Sequence, residues 1–139
     1  MTQNGHGLLT VMRILSAIVL FAIAGIHLFL VFDGVGGVLG MLFILNSVAA
    51  IVLGIAMLVL RGILLKGAAV LSLLFIIASL LSLLLALTVG LFGIHETWTF
   101  TLVPQTIIVE AIGIVVLAVA SVTAPRSSRR LAPQPIRSL

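Results

Sequence analysis

The sequence predicts an all-α, polytopic membrane protein, an antiparallel bundle of four transmembrane helices with both termini cytoplasmic. Three observations carry this. Of 139 residues, 63% are hydrophobic and 7% charged, and the mean hydropathy is +1.48. A soluble domain needs about 25% charged residues to cover its surface, so the outer face of this chain must meet lipid. The apolar residues fall in four runs, each long enough at about 1.5 Å per residue to cross a hydrocarbon core of about 30 Å. None of the four alternates with period two, which sets strands aside. Finally, the cations gather at alternate connections, the pattern that orients membrane helices.

The first run covers about 8–32, with Arg13 near its start and His27 near its end. Arg13 before an apolar stretch, with Ala22-Ile23-Ala24 behind it, resembles a signal peptide. The apolar run continues well past Ala24, so a retained helix is expected. Asp33-Gly34-Val35-Gly36-Gly37 reads as a tight turn. The second run, 38–60, carries Asn46 and Ser47 with small residues at Ala50 and Gly54. Arg61 to Lys66 reads as a short basic loop. The third run is placed at 67–93, where Ser72, Ser79, Ala86 and Gly93 recur every seven residues. Such a stripe of small side chains lets helices approach closely. Ile94 to Thr99 reads as a polar loop with an interfacial Trp98. The fourth run, 102–124, starts beside Pro104 and stops at Pro125. Residues 1–124 then form one bundle, and 125–139 form a basic, Pro-containing cytoplasmic tail that cannot bury a core.

Arg13, Arg61, Lys66, Arg126, Arg129 and Arg130 fall on one side of a four-pass bundle, and Asp33, His95 and Glu96 on the other. The positive-inside rule makes the first side cytoplasmic. Arg61, Lys66, Arg126, Arg129 and Arg130 form a basic anchor, each cation drawn to anionic lipid by about 1 kcal/mol. The net charge of +4 therefore reads as membrane orientation rather than nucleic-acid binding. With no cysteine, disulfides, thiolate-held metals and thiol redox chemistry are excluded.

Glu110 is the one acid inside any apolar run. An acid at such depth is costly unless it is paired or faces a wet cavity, so it marks a candidate site by default. Counting inward from the outer turns at 1.5 Å per residue puts His27, Asn46, Thr88 and Glu110 about 8–12 Å deep, one polar group per helix. Helical spacing places Thr106, Glu110, Gly113, Leu117 and Ser121 on one face. Ser16, Ile23 and His27 share a face of the first helix. Ser47, Ala50 and Gly54 share one of the second, with Asn46 at its edge. Turned inward, these faces bring Glu110 to His27 or Asn46. The candidate site is therefore His27, Asn46, Thr88 and Glu110, with Asp33, His95 and Glu96 as candidate outer-loop residues. Its roles range from interhelical glue, worth about 0.6 kcal/mol per bond, through a proton or ion site, to contact with a partner subunit or lipid headgroup.

No cofactor is expected. A bis-His haem needs two facing imidazoles, and His95 lies at the membrane edge while His6 is on the opposite side. No metal-ligand spacing is present. There is no phosphate-binding loop, no Ser/His/Asp set and no acid pair, so an enzyme is not expected.

Gly25-Ile26-His27-Leu28, the run from Leu42 to Ala49, the run from Leu87 to Gly93, and Glu110 together resemble a group of small, largely uncharacterised four-helix membrane proteins of actinobacteria. The resemblance covers the bundle and not the tail. It implies a plasma-membrane location and carries no activity with it.

The leading expectation is a small non-catalytic integral membrane protein of the plasma membrane, serving as an accessory or partner-binding subunit. Its partners would be the lipid bilayer and a larger membrane complex, or further copies of itself. The alternative is a proton-coupled or small-molecule carrier that uses Glu110 and His27.

Overall fold

The computed structural model describes residues 3–124. The tail, with Arg126, Arg129 and Arg130, lies outside the described residues. The chain forms α1 (Gln3–Phe32), α2 (Gly37–Val59), α3 (Gly62–Thr88) and α4 (Val103–Thr123). All four are long and apolar enough to cross a membrane. Among the described residues there is no strand, only an isolated bridge between Leu91 and Ile94.

The helix ends follow local chemistry. At the end of α1, Val35 N–H donates to Leu30 O (3.0 Å) and Gly34 N–H to Val31 O (3.2 Å). This is a Schellman closure, with Gly34 left-handed at φ +103, a conformation open to a residue without Cβ. It turns the chain straight into α2.

The α2–α3 connection differs from expectation. The basic segment from Arg61 to Lys66 is not a loop. Only Leu60 and Arg61 link the helices, and α3 begins at Gly62, with Lys66 already helical. The helix ends correspondingly earlier, at Thr88, where Gly90 at φ +86 takes the chain off the helical path. Gly93, expected to continue the small stripe, lies in the loop.

Consecutive helices run in opposite directions. As α1 ascends, its contacts descend α2: Arg13 meets Met57–Leu60, Phe21 lies against Gly54, and Ala24 O accepts from Ser47 Oγ. In the same way Ile76 of α3 meets Gly113 of α4, and Ser79 meets Glu110. α1 packs most extensively, on α2 and on α4. α3 packs on α4, and the α2–α3 seam is the thinnest.

The core is built of Leu20, Ile23, Met57, Leu65, Ile76 and Leu117, all fully buried. Gly113 closes it. A Cβ there would stand 2.7 Å from Val19 Cγ1 and 2.8 Å from Ile76 Cδ1, so a hydrogen at this position lets α1 and α3 converge on α4. The inward faces of α1, α2 and α4 are those expected: Ser16, Ile23, His27, Ser47, Ala50, Gly54, Thr106, Glu110, Gly113, Leu117 and Ser121 are all buried.

Arg13 has a specific task. Its Nε donates to Met57 O (2.9 Å), and its Nη2 donates to Leu58 O (2.6 Å) and Leu60 O (3.0 Å). The last carbonyls of a helix have no partner within it, and in lipid each one left bare costs several kcal/mol. The guanidinium satisfies two of them, Met57 O and Leu58 O, together with the carbonyl of Leu60 just past the helix end, and places its charge at the negative end of the helix dipole.

Arg13→Met is therefore expected to weaken the bundle by about 2 kcal/mol, the upper range for a cation at a partly buried helix C-terminus. Arg61→Met, at an exposed cation, should stay within about 0.5 kcal/mol. Reversible unfolding in mixed detergent micelles measures both. Equal losses would refute the capping role.

Candidate functional site

The thin seam between α2 and α3 is where the polar residues gather. Glu110 projects from α4 and is fully buried. Its Oε1 accepts a hydrogen bond from Ser79 Oγ of α3 at 2.6 Å. Ser79 Oγ in turn accepts from Asn46 Nδ2 of α2 at 2.9 Å. Three helices are thus joined by a two-bond chain with one direction, amide to hydroxyl to carboxylate. Two acceptors in this group have no partner, Glu110 Oε2 and Asn46 Oδ1.

His27 reaches the same region from α1 but is bonded within its own helix. Its Nδ1 lies 2.9 Å from Ile23 O, and its ring meets Phe43 of α2 edge-to-face, with centroids 5.0 Å apart. A carbonyl only accepts, so Nδ1 carries the hydrogen and Nε2 of the neutral ring is left as an acceptor.

These side chains line a cavity of about 410 Å³. α2 and α3 form its walls, and His27 of α1 and Glu110 of α4 lie behind them. The loop of residues 89–102 contributes Leu91, Phe92, Ile94, Glu96, Phe100 and Thr101. Along the seam Leu42, Leu45, Ala78 and Ser82 are exposed, so the cavity opens sideways between α2 and α3. At its other end Gly113, Val19 and Ile76 are in contact one turn below Glu110.

The loop holds itself together rather than hanging free. Glu96 N–H donates to Ala86 O (3.0 Å), and the His95 ring lies against Gly90. Phe92 (φ 51) and Leu102 (φ 65) are both left-handed. A non-glycine residue costs about 1–2 kcal/mol in that conformation, and such strain concentrates at functional sites. Burial raises the Glu96 carboxyl above its usual range.

Of the expected site, His27, Asn46 and Glu110 come together and Thr88 does not. Because α3 ends at Thr88, this residue is exposed, and its hydroxyl donates to Leu84 O of its own helix (2.7 Å). Ser79 takes the place α3 was expected to fill with Thr88. The seven-residue stripe contained it, and only its register against Glu110 distinguishes it from Ser72. Glu110 meets Ser79 rather than His27 directly, and Asn46 through that serine. Of the outer-loop candidates, Glu96 lines the cavity, whereas His95 and Asp33 are exposed. Among the described residues, no three His, Asp or Glu side chains come together as metal ligands. Arg61 is exposed and Lys66 half-buried, both at the opposite end of α3 from Thr88 and the loop.

Comparison with family models, with curated proteins and with solved structures gives no match.

An ordinary interhelical hydrogen bond in a membrane contributes about 0.6 kcal/mol, but one to a buried carboxyl contributes about 1.5–3 kcal/mol. Ser79→Ala breaks both bonds of the chain and is expected to cost about 2 kcal/mol in mixed-micelle unfolding. Ser82→Ala removes only a bond to its own helix, at Ala78 O, and should cost less than about 0.5 kcal/mol. Similar values for the two would deny the chain any special weight.

Proposed function

We propose that the protein is a small-molecule carrier of the plasma membrane, holding its cargo in the cavity between α2 and α3. One observation carries this reading: a fully buried carboxylate with a free oxygen on the wall of a cavity of about 410 Å³. If interhelical glue were the whole role of Glu110, both of its buried oxygens would be expected to have a hydrogen-bond donor. Ligand sites in helical bundles have the character found here, an apolar pocket with a few converging polar groups. An ionisable group in a spanning helix is by default a candidate for a substrate or ion path.

Orientation supports the same picture. Arg13, Arg61 and Lys66 gather at one end, and Asp33, His95 and Glu96 at the other, so the positive-inside rule puts the chain termini in the cytoplasm and the cavity in the outer leaflet. Cargo would enter from the outer leaflet or the outer surface. The contact of Val19, Gly113 and Ile76 would be the barrier on the cytoplasmic side.

The accessory-subunit reading draws on a different feature. α3 is the least covered of the four helices, and the connections at residues 33–36 and 60–61 are too short for a domain of their own. A larger membrane protein seated on α3 would cover its free face.

Native mass spectrometry of the protein, extracted from its own membrane in mild detergent, separates the two. The carrier reading expects a small molecule bound at one per chain, lost when Ala78→Phe and Ser82→Phe together narrow the seam. A stoichiometric protein partner, with the cavity variants bound to it as before, would overturn the carrier reading in favour of the accessory one.

A further inference from the structure

We infer that the cavity between α2 and α3 is built for a lipophilic amine: an apolar body carrying a protonated nitrogen whose N–H groups are received by Glu110 Oε2 and Asn46 Oδ1. This rests on the reading of the cavity as a cargo site and names the cargo's chemical class.

The bookkeeping of donors and acceptors leads there. The Ser79 hydroxyl proton goes to Glu110 Oε1. One amide hydrogen of Asn46 goes to Ser79. The Ser82 proton goes to Ala78 O, the Thr106 proton to Leu102 O, and the His27 Nδ1 hydrogen to Ile23 O. Apart from the second amide hydrogen of Asn46, what these groups leave over toward a ligand is acceptor capacity. Glu110 Oε2 and Asn46 Oδ1 are buried without a donor, and Nε2 of a neutral His27 is a third acceptor. Buried acceptors without donors are costly, and a ligand bearing several N–H groups would recover that cost.

Charge points the same way. Two carboxyl groups line the cavity, Glu110 in its wall and Glu96 from the loop, and among the described residues no Lys or Arg does. An anionic cargo would find no cation there to pair with. An ammonium has three donors and no acceptor, and its bond to a carboxylate is about twice as strong as a neutral one. The rest of the lining is apolar, with Phe43, Phe75, Phe92 and Phe100 among it. Those rings suit an aromatic or aliphatic body, and their faces also attract a cation.

The test uses one body with four head groups. 2-(2-Naphthyl)ethylamine, its trimethylammonium analogue, 2-(2-naphthyl)ethanol and 2-naphthylacetate are equilibrated with the full-length protein in lipid nanodiscs, and binding to empty nanodiscs is subtracted. The amine is expected to bind at least about tenfold tighter than the alcohol, the equivalent of one charge-assisted hydrogen bond. The trimethylammonium compound, charged but without N–H groups, should lose most of that gain, and the acid should bind most weakly. Glu110→Gln should bring the amine down to the alcohol's affinity while the alcohol is unchanged. The four-probe comparison is made on the unaltered protein, so a variant that fails to fold does not affect it.

Equal binding of amine and alcohol, or preference for the acid, would overturn the amine assignment and leave the cavity as a cargo site. Equal binding of the primary and trimethylated ammonium would overturn the role of the N–H donors. If none of the four binds above empty nanodiscs, the amine assignment falls together with the reading of the cavity as a cargo site.

Discussion

The bond from Ser79 to Glu110 is the interaction around which the rest of the bundle is arranged. A carboxyl group placed among four apolar helices cannot be left bare, because hydrocarbon offers it nothing. α3 must therefore present a hydroxyl at the right height. That fixes the register of α3 against α4, and Gly113 three residues further along α4 admits Ile76 three residues back along α3. The polar contact and the close approach specify the same sliding position. Asn46 then sets the height of α2 against α3 through the same serine. Packing alone would specify this weakly, since leucine-rich surfaces fit one another in many registers.

Much of this can be read in the sequence, for a definite reason. On α1, α2 and α4 the small and polar residues recur at helical spacing, so each helix has a visible inner face, and those faces are the ones the structure buries. α3 is different. Leucine and isoleucine surround it on every side, and its face is defined only by serines and alanines that recur in more than one phase. Its ends are hidden too. Arg61 and Lys66 look like a loop because cations usually sit outside spanning segments, but a two-residue link suffices here and Lys66 lies in the opening turns of the helix. The five-residue error at that start carries through to the other end. It moves Thr88 out of the site and conceals the part played by Ser79.

Arg13 illustrates a second limit. As a cation near the end of an apolar run, it reads as a side chain reaching for headgroups. The structure turns it inward across the helix pair, onto the carbonyls of Met57, Leu58 and Leu60. Nothing local in the sequence around Arg13 announces that partner. It depends on where α2 stops, and that depends on how tightly residues 33–36 turn. Capping between distant segments is tertiary information, which helical periodicity does not contain.

The balance among the seams bears on motion. Three of the four neighbouring pairs are held by extensive side-chain packing, and α1 with α2 has the guanidinium cap besides. The fourth, between α2 and α3, is narrow and bridged by the hydrogen bond from Asn46 to Ser79. Separating α2 from α3 forfeits little apolar contact, because the surfaces uncovered would meet lipid as apolar as themselves. It also exposes little backbone, because helices satisfy their own hydrogen bonds. The principal cost is the polar chain, and a guest with N–H groups can supply replacements for the donors that are withdrawn. The bundle therefore has one soft direction, and it lies across the cavity that holds the unpartnered carboxylate oxygen.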